Sequence, residues 1–241
     1  MSELTLINGV YSEKYGIKMN LCILIPSFNE EKKIGAIVKK LVLAHYDVLV
    51  INDGSTDQTA RISAESGAVV LSHKKNKGKG ESIMQGFDYI IKNTNHDAAL
   101  IMDGDGQHHI EDVVFFIQRA EEGNCDIIVG NRMGYTKNMP LDRFIVNKFT
   151  SFLISVICKQ DIPDTQCGFR LLTRKAMQSL SLKLTKFDME SEMLIDAAKK
   201  GLRIVSVPVR TIYHDEISQI HPLKDTIRFI VLMAKSYIKK H

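Results

Sequence analysis

The chain reads as an α/β protein, one domain in which a mostly parallel sheet is flanked by helices. Two observations predict this. From Leu21 to Val129, short apolar runs of strand length alternate with segments whose apolar residues recur at helical spacing. Distinctive polar residues then follow three of those runs directly: Ser27-Phe28-Asn29-Glu30, Asn52-Asp53-Gly54-Ser55-Thr56-Asp57 and Asp103-Gly104-Asp105-Gly106-Gln107. Ligands of parallel sheets bind beyond the carboxyl ends of the strands, so the topology gathers these three segments at one edge.

Residues 1–20 form a leader or edge element. Leu21 to Ile25 is a short apolar strand closed by Pro26. Glu30 to Leu43 is helical, with Ile34, Ile37, Val38 and Leu41 on one side. Val48 to Ile51 is a buried strand, Thr56 to Ser66 a helix, and Ala68 to Leu71 a strand. Gly80 to Ile91 is a helix whose apolar face is Ile83, Met84, Phe87, Ile90 and Ile91. Ala98 to Met102 is the strand before the acidic motif, followed by a helix from Glu111 to Glu121 and a strand from Asp126 to Val129. The second half is less regular. Helices are expected over 141–157, 189–200 and about 223–239, and strands over 168–173 and 202–207. The domain is expected to span 21–212, with a donor half to about 130 and an acceptor half beyond it. A loop and amphipathic helix would occupy 213–241.

A chain of 241 residues with 44% hydrophobic and 25% charged residues has enough apolar surface for a substantial core. Its net charge of +4 does not point to nucleic acid, but suits an anionic substrate or a membrane surface. The four cysteines have neither zinc-ligand nor redox spacing, and three lie in apolar runs. A reducing, cytoplasmic setting follows. Residues 1–20 lack the pattern of a signal peptide, and no window is long and apolar enough for a transmembrane helix. Work on a membrane would therefore be peripheral, on its cytoplasmic face.

The Asp103-Gly104-Asp105 motif carries the most chemistry. Alternate residues of an extended chain point the same way, so both carboxylates can face one point. Like charges held that close call for a cation between them, and oxygen ligands suit Mg²⁺ or Mn²⁺ with a substrate diphosphate. The competing reading is a polar turn. Asp53, at its strand end, suits a ribose hydroxyl or a base N–H, or else belongs to a plain strand-to-helix turn. Lys74-Lys75-Asn76-Lys77-Gly78-Lys79-Gly80 is a diphosphate clamp or a solvated basic loop, and its spacing is not that of a P-loop. His108 and His109 suit a metal-ligand role or the start of a helix. Arg132, Arg143 and Arg170 offer planar forks for phosphate. The 141–157 helix is apolar on more than one face and carries Arg143 and Lys148, which fits either core packing or a membrane interface.

Taken together, Ile25-Pro26-Ser27-Phe28-Asn29-Glu30, the 52–57 segment, Asn76-Lys77-Gly78-Lys79-Gly80 and Asp103-Gly104-Asp105-Gly106-Gln107 resemble the family 2 glycosyltransferases of GT-A fold. Gly130-Asn131-Arg132, Asp164-Thr165-Gln166-Cys167-Gly168-Phe169-Arg170 and Phe187-Asp188-Met189-Glu190 resemble the dolichyl- and polyprenyl-phosphate hexose synthase branch. The resemblance implies an inverting transfer of mannose or glucose from GDP-mannose or UDP-glucose to a polyprenyl phosphate. It implies that Pro26, Asn29 and Glu30 line the nucleotide pocket and that Asp53 contacts the base or ribose. Lys79 and Asp103 would meet the donor phosphates, and Asp103, Asp105 and Gln107 would hold the metal. Arg132 and Arg143 would take the acceptor phosphate, with Asp103, Asp105 and Arg132 catalytic. A membrane-embedded partner protein is also implied.

Asn131 and Met133 depart from the branch, which often has serine before the arginine and an aromatic residue after it. The QxxRW motif of polysaccharide-making relatives is absent, which argues against a processive synthase. Three other readings stand: a family 2 enzyme with a hydroxyl acceptor, a sugar-nucleotide nucleotidyltransferase, and a binding subunit without activity. The nucleotidyltransferases' glycine-rich loop is missing after the first strand.

Overall fold

The computed structural model describes residues 19–136, 139–182 and 189–211. Seven strands make one sheet: β1 (Leu21–Ser27), β2 (Asp47–Asn52), β3 (Val69–Ser72), β4 (Ala98–Ile101), β5 (Ile127–Asn131), β6 (Arg170–Thr173) and β7 (Ile204–Pro208). Their order is β3-β2-β1-β4-β6-β5-β7. Strands β1 to β4 pair in parallel, as do β5 and β7. Strand β6 runs antiparallel to both of its neighbours, β4 and β5. The sheet is thus mostly parallel, as the sequence predicts, and the reversed strand lies beside the central strand β4.

The helices are α1 (Ile34–Leu43), α2 (Thr59–Glu65), α3 (Lys79–Asn93), α4 (Val113–Glu121), α5 (Leu141–Cys158), α6 (Arg174–Ser179) and α7 (Met189–Lys199). Helix α1 buries Ile34, Val38 and Leu41, one side of a 3.6-residue repeat. Helix α3 buries Ile83, Phe87 and Ile90 and packs on β1 and β2. Helix α1 starts four residues after the expected Glu30. Glu30 instead opens a turn, its carbonyl accepting from the N–H groups of Lys33 and Ile34. Similarly, α2 starts at Thr59 because Asp57 turns back to accept from the Thr59 N–H and hydroxyl. The short α6, capped by Thr173, has too few residues to show periodicity and was not expected. The expected helix near 223–239 lies outside the described residues.

The core follows the strands. Ile23, Leu24, Ile25, Val50, Ile51, Leu100, Ile127 and Leu171 are fully enclosed. Cys22, Cys158 and Cys167 are buried free thiols. Burial pushes Cys22 up to about 12 and the other two to about 11, so all three stay protonated at neutral pH.

Helix α5 departs from the usual pattern. Its inward face carries Asn147, Thr150 and Ser151 beside the core residues Ile154 and Cys158, while Leu141, Ile145, Phe149, Phe152 and Val156 face solvent at i, i+4 and i+3 spacing. The inward hydroxyls have partners: Ser151 accepts from the Thr165 N–H and Ser155 from the Ile162 N–H. Core packing, one of the two expected roles of this helix, therefore does not account for the apolar stripe.

Arg170, expected among the phosphate-suited arginines, is buried in the sheet. Its guanidinium donates to the carbonyls of Cys167, Thr165 and Glu190 at 2.6–2.7 Å. It ties the 164–170 loop to the first turn of α7. Replacing Arg170 with Met leaves three carbonyls without these donors, at a cost of about 3 kcal/mol or more. Urea denaturation of the variant is expected to show a lower midpoint with an unchanged slope.

Candidate functional site

Strand β4 ends at Ile101, two residues before Asp103. Strand alternation therefore does not orient the acidic pair; a turn through Gly106, at φ +76°, does. The two carboxylates have different surroundings. Asp105 accepts from the Gln107 N–H at 2.9 Å and braces the loop. Asp103 forms an ion pair with Lys79 Nζ at 2.7 Å, and the same ammonium lies 2.7 Å from Glu190. One cation thus bridges the end of β4 and the first turn of α7. Gly168 lies against the pair. A Cβ at this position would come within 2.5 Å of Asp103 Oδ2 and 3.1 Å of Lys79 Nζ, so only glycine leaves room.

Charge and burial oppose each other here. Burial alone would lift the Asp103 carboxyl, but Lys79, with His108 beside it, holds it well below the usual carboxylate range. Burial would also lift Glu190, and Lys79 and Arg170 hold it down. Burial would lower Lys79, and its two acidic neighbours raise it above the ordinary lysine value.

His108 stacks on Phe169 with ring centroids 4.7 Å apart. Its Nε2 is 3.6 Å from Asp103 Oδ2, and both ring nitrogens are buried without a hydrogen-bond partner. Its backbone bridges Thr211. His109 precedes the 3₁₀ turn Ile110–Asp112, the helix-start role expected for one of the two histidines.

Asp53 is buried, and its side chain faces its own chain. One oxygen accepts from the Lys77 N–H at 2.8 Å and lies 2.7 Å from His73 Nδ1; the other accepts from the Gly78 N–H at 2.8 Å. It pins the lysine loop to the end of β2. Gly54, at φ +72°, permits this approach, since a Cβ there would lie 2.5 Å from the Lys75 carbonyl carbon. Asn29, expected to line a nucleotide pocket, instead stitches two loops. Its carbonyl accepts from the Thr56 N–H at 2.9 Å, and its own N–H donates to Ser55 Oγ. Pro26 pairs with Ile51 in β1, and the Glu30 N–H donates to Thr59 Oγ1. Phe28 stands exposed beside them.

Arg132 follows β5 as expected, but its fork closes on a carboxylate. Nε and Nη2 donate to the two oxygens of the fully buried Asp164 at 2.7 and 2.8 Å. A second such pair, Asp112 with Arg210, holds the chain after β7. Arg143, in the first turn of α5, is half-buried and forms no ion pair among the described residues.

Asp103, Lys79 and Arg132 thus fall at one sheet edge, and the fold adds Glu190, Gly168 and His108. Glu190 was singled out only by its motif, since nothing in spacing links positions 111 residues apart. A divalent cation fits the Asp103–Asp105 loop by ligand chemistry, since both side chains offer hard carboxylate oxygens. Among the described residues no three His, Cys, Asp or Glu side chains gather into a group that could hold a metal ion by themselves.

This sheet order, with its acidic loop at the carboxyl edge, defines a GT-A glycosyltransferase. The family model for "Glycosyl transferase family 2" matches residues 22–181, and the chain belongs to that family. Over 214 residues it is 31% identical to the UDP-N-acetylglucosamine–dolichyl-phosphate N-acetylglucosaminyltransferase of Methanococcus voltae, covering 79% of this chain and 85% of that one. Over 248 residues it is 25% identical to the dolichyl-phosphate β-glucosyltransferase of Dictyostelium discoideum, covering 91% and 73%. In fold it is similar to glucosyl-3-phosphoglycerate synthase from Mycobacterium tuberculosis, crystallised with Mn²⁺, UDP and glucosyl-3-phosphoglycerate. The TM-score is 0.68 at 19% identity, covering 98% of this chain and 85% of that one.

The ion pairs set a pH dependence. Asp103 and Glu190 have lowered values in the folded state, so their contribution to stability is complete above about pH 5 and is lost as pH falls through those lowered values. Lys79 has a raised value, so its contribution is complete below about pH 10 and is lost as pH rises beyond it. Asp103→Asn is therefore expected to melt below the native protein at pH 7, with the gap shrinking as melts are repeated toward pH 3.

Proposed function

We propose that this glycosyltransferase moves a hexose from a nucleotide diphosphate sugar to a polyprenyl or dolichyl phosphate, with inversion and with Mg²⁺ or Mn²⁺. The observation that carries the acceptor class is the state of Glu190. It is the carboxylate that the second half of the chain brings to the site, and Lys79 holds it ionised and weakly basic. A sugar hydroxyl needs a base to remove its proton, whereas a phosphate is already an anion at neutral pH. Two relatives named for dolichyl-phosphate acceptors support the same reading.

In this reading Asp103, Asp105 and Gln107 would hold the metal. The ion would supply charge stabilisation to the departing nucleoside diphosphate. Lys79 adds a fixed positive charge beside that group, and Gly168 keeps the space clear. Asp53 and the Asn29–Thr56 contacts hold the loops that Pro26, Glu30 and Phe28 present to the nucleotide. Phe28 offers an aromatic face for a base. Arg132, oriented by Asp164, faces the acceptor phosphate together with Arg143. UDP is the favoured nucleotide, because one of these relatives carries UDP in its name; glucose and N-acetylglucosamine are the sugars to test before mannose.

The exposed stripe of α5 rests on the membrane, with Arg143 and Lys148 near the head groups. No helix among the described residues is long and apolar enough to cross a bilayer. In this reading the protein works peripherally at the cytoplasmic face, where a membrane-embedded partner would meet it. A hydroxyl acceptor is the alternative reading, favoured if the enzyme glycosylates a water-soluble acceptor and ignores lipid phosphates.

Asp105→Ala is expected to lower transfer to dolichyl phosphate by about a hundredfold or more with the melting temperature kept. Unchanged turnover would remove the metal assignment. UDP with Mn²⁺ at a hundred times its Kd should add about 2.7 kcal/mol to native stability, and GDP much less. Sedimentation with anionic liposomes is expected to carry down the native protein but not Phe149→Glu/Phe152→Glu; equal binding by both would remove the membrane role of α5.

A further inference from the structure

The lysine bridge has three members with different anchorage. Asp103 follows the central strand β4 by two residues. Glu190 lies in the first turn of α7, whose backbone carbonyl at that residue is held by the buried Arg170 at 2.6 Å. Lys79 has the longest side chain of the three. It opens α3 just after Gly78, at φ +97°, and reaches the acids through a flexible four-carbon stem. Its side chain is 35% exposed and that of Asp103 28%, so a ligand can reach both without unfolding.

Two carboxylates share this one ammonium. If Lys79 leaves Asp103, that carboxylate needs another cation. If a divalent ion takes Asp103, the ammonium is repelled and needs another anion. Glu190 is already 2.7 Å away to serve as one. The three groups alone carry one net negative charge; a divalent ion makes the set net positive, which suits a diphosphate.

We infer that Glu190 is a positioning residue. It lets Lys79 serve as a built-in counter-ion for Asp103 before the metal and diphosphate bind, and it retains the ammonium beside the diphosphate once Asp103 takes the metal. The inference rests on the metal–diphosphate reading above. It makes Lys79 a competitor of the free metal and an ally of the nucleotide-bound one.

That double role predicts effects of opposite sign in binding, with no turnover involved. Free Mn²⁺ is followed by its EPR signal during titration of the full chain. Without nucleotide, Lys79→Met is expected to bind Mn²⁺ about tenfold tighter than the native protein, because a unit charge in contact with Asp103 is gone. Glu190→Gln is expected to bind it about tenfold weaker, since Lys79 then pairs with Asp103 alone. Lys92→Met, an exposed lysine at the far end of α3, is expected to stay within about twofold, which separates contact from general field effects. With UDP present, Lys79→Met is expected to hold the Mn²⁺–UDP complex more weakly than the native protein does.

Unchanged or weaker nucleotide-free binding in Lys79→Met overturns the exchange. Should that variant not fold, native-strength or tighter binding in Glu190→Gln overturns it equally. If the native protein retains Mn²⁺ with UDP while the variants behave alike, the exchange fails and the metal reading stands. If the native protein retains no Mn²⁺ with either UDP or GDP, both fail.

Discussion

A single ammonium between two carboxylates sets the geometry at the carboxyl edge of this enzyme's sheet. Lys79, Asp103 and Glu190 come from the start of one helix, the end of one strand and the start of another helix. None of the three would hold its position if the others were neutral. Partial burial disfavours every one of these charges taken alone. Together they are ionised, because opposite charges at contact distance outweigh lost hydration when geometry is close and further hydrogen bonds support it. The supports are visible: Arg170 beneath Glu190, His108 beside Asp103, and Gly168 as a wall without a side chain.

The same logic recurs around the edge. Asp53 gathers the lysine loop, Asp164 aligns Arg132, and Asp112 seizes Arg210 after the last strand. In each case a buried or nearly buried acid orders a segment that would otherwise repel itself or wander. Several residues with strong chemical signatures therefore act on their own chain first and on a ligand through it. Asn29 is the clearest instance, a left-handed residue whose amide joins two neighbouring loops.

Much of the fold was legible because strands buried on both faces and amphipathic helices leave simple patterns. The runs at Leu21–Ile25, Val48–Ile51 and Ala98–Ile101 lie in the core as expected. The three polar segments do meet at one edge, since parallel topology requires it. Pairing was less legible. Nothing in the residues of β6 states that it runs against its neighbours, because register and direction are settled by distant partners. Helix starts moved where Glu30 and Asp57 folded back on nearby N–H groups. The bond between Lys79 and Glu190 joins positions too far apart for any periodicity to reveal. Arg170 shows the opposite error: a guanidinium suited to phosphate suits backbone carbonyls equally well, and only burial tells which it meets.

The reversed strand bears on how the molecule is made. Strand β5 borders β6 and β7 but not β4, so it has no sheet partner until the chain has continued through Arg170. The first four strands can pair as they leave the ribosome, whereas β5 and the helix after it must wait, with Ile127, Ile128 and Ile154 not yet enclosed. Synthesis therefore passes through a stage in which a finished amino-terminal sheet carries a sticky, unpaired tail, the interval in which a chaperone would be needed most.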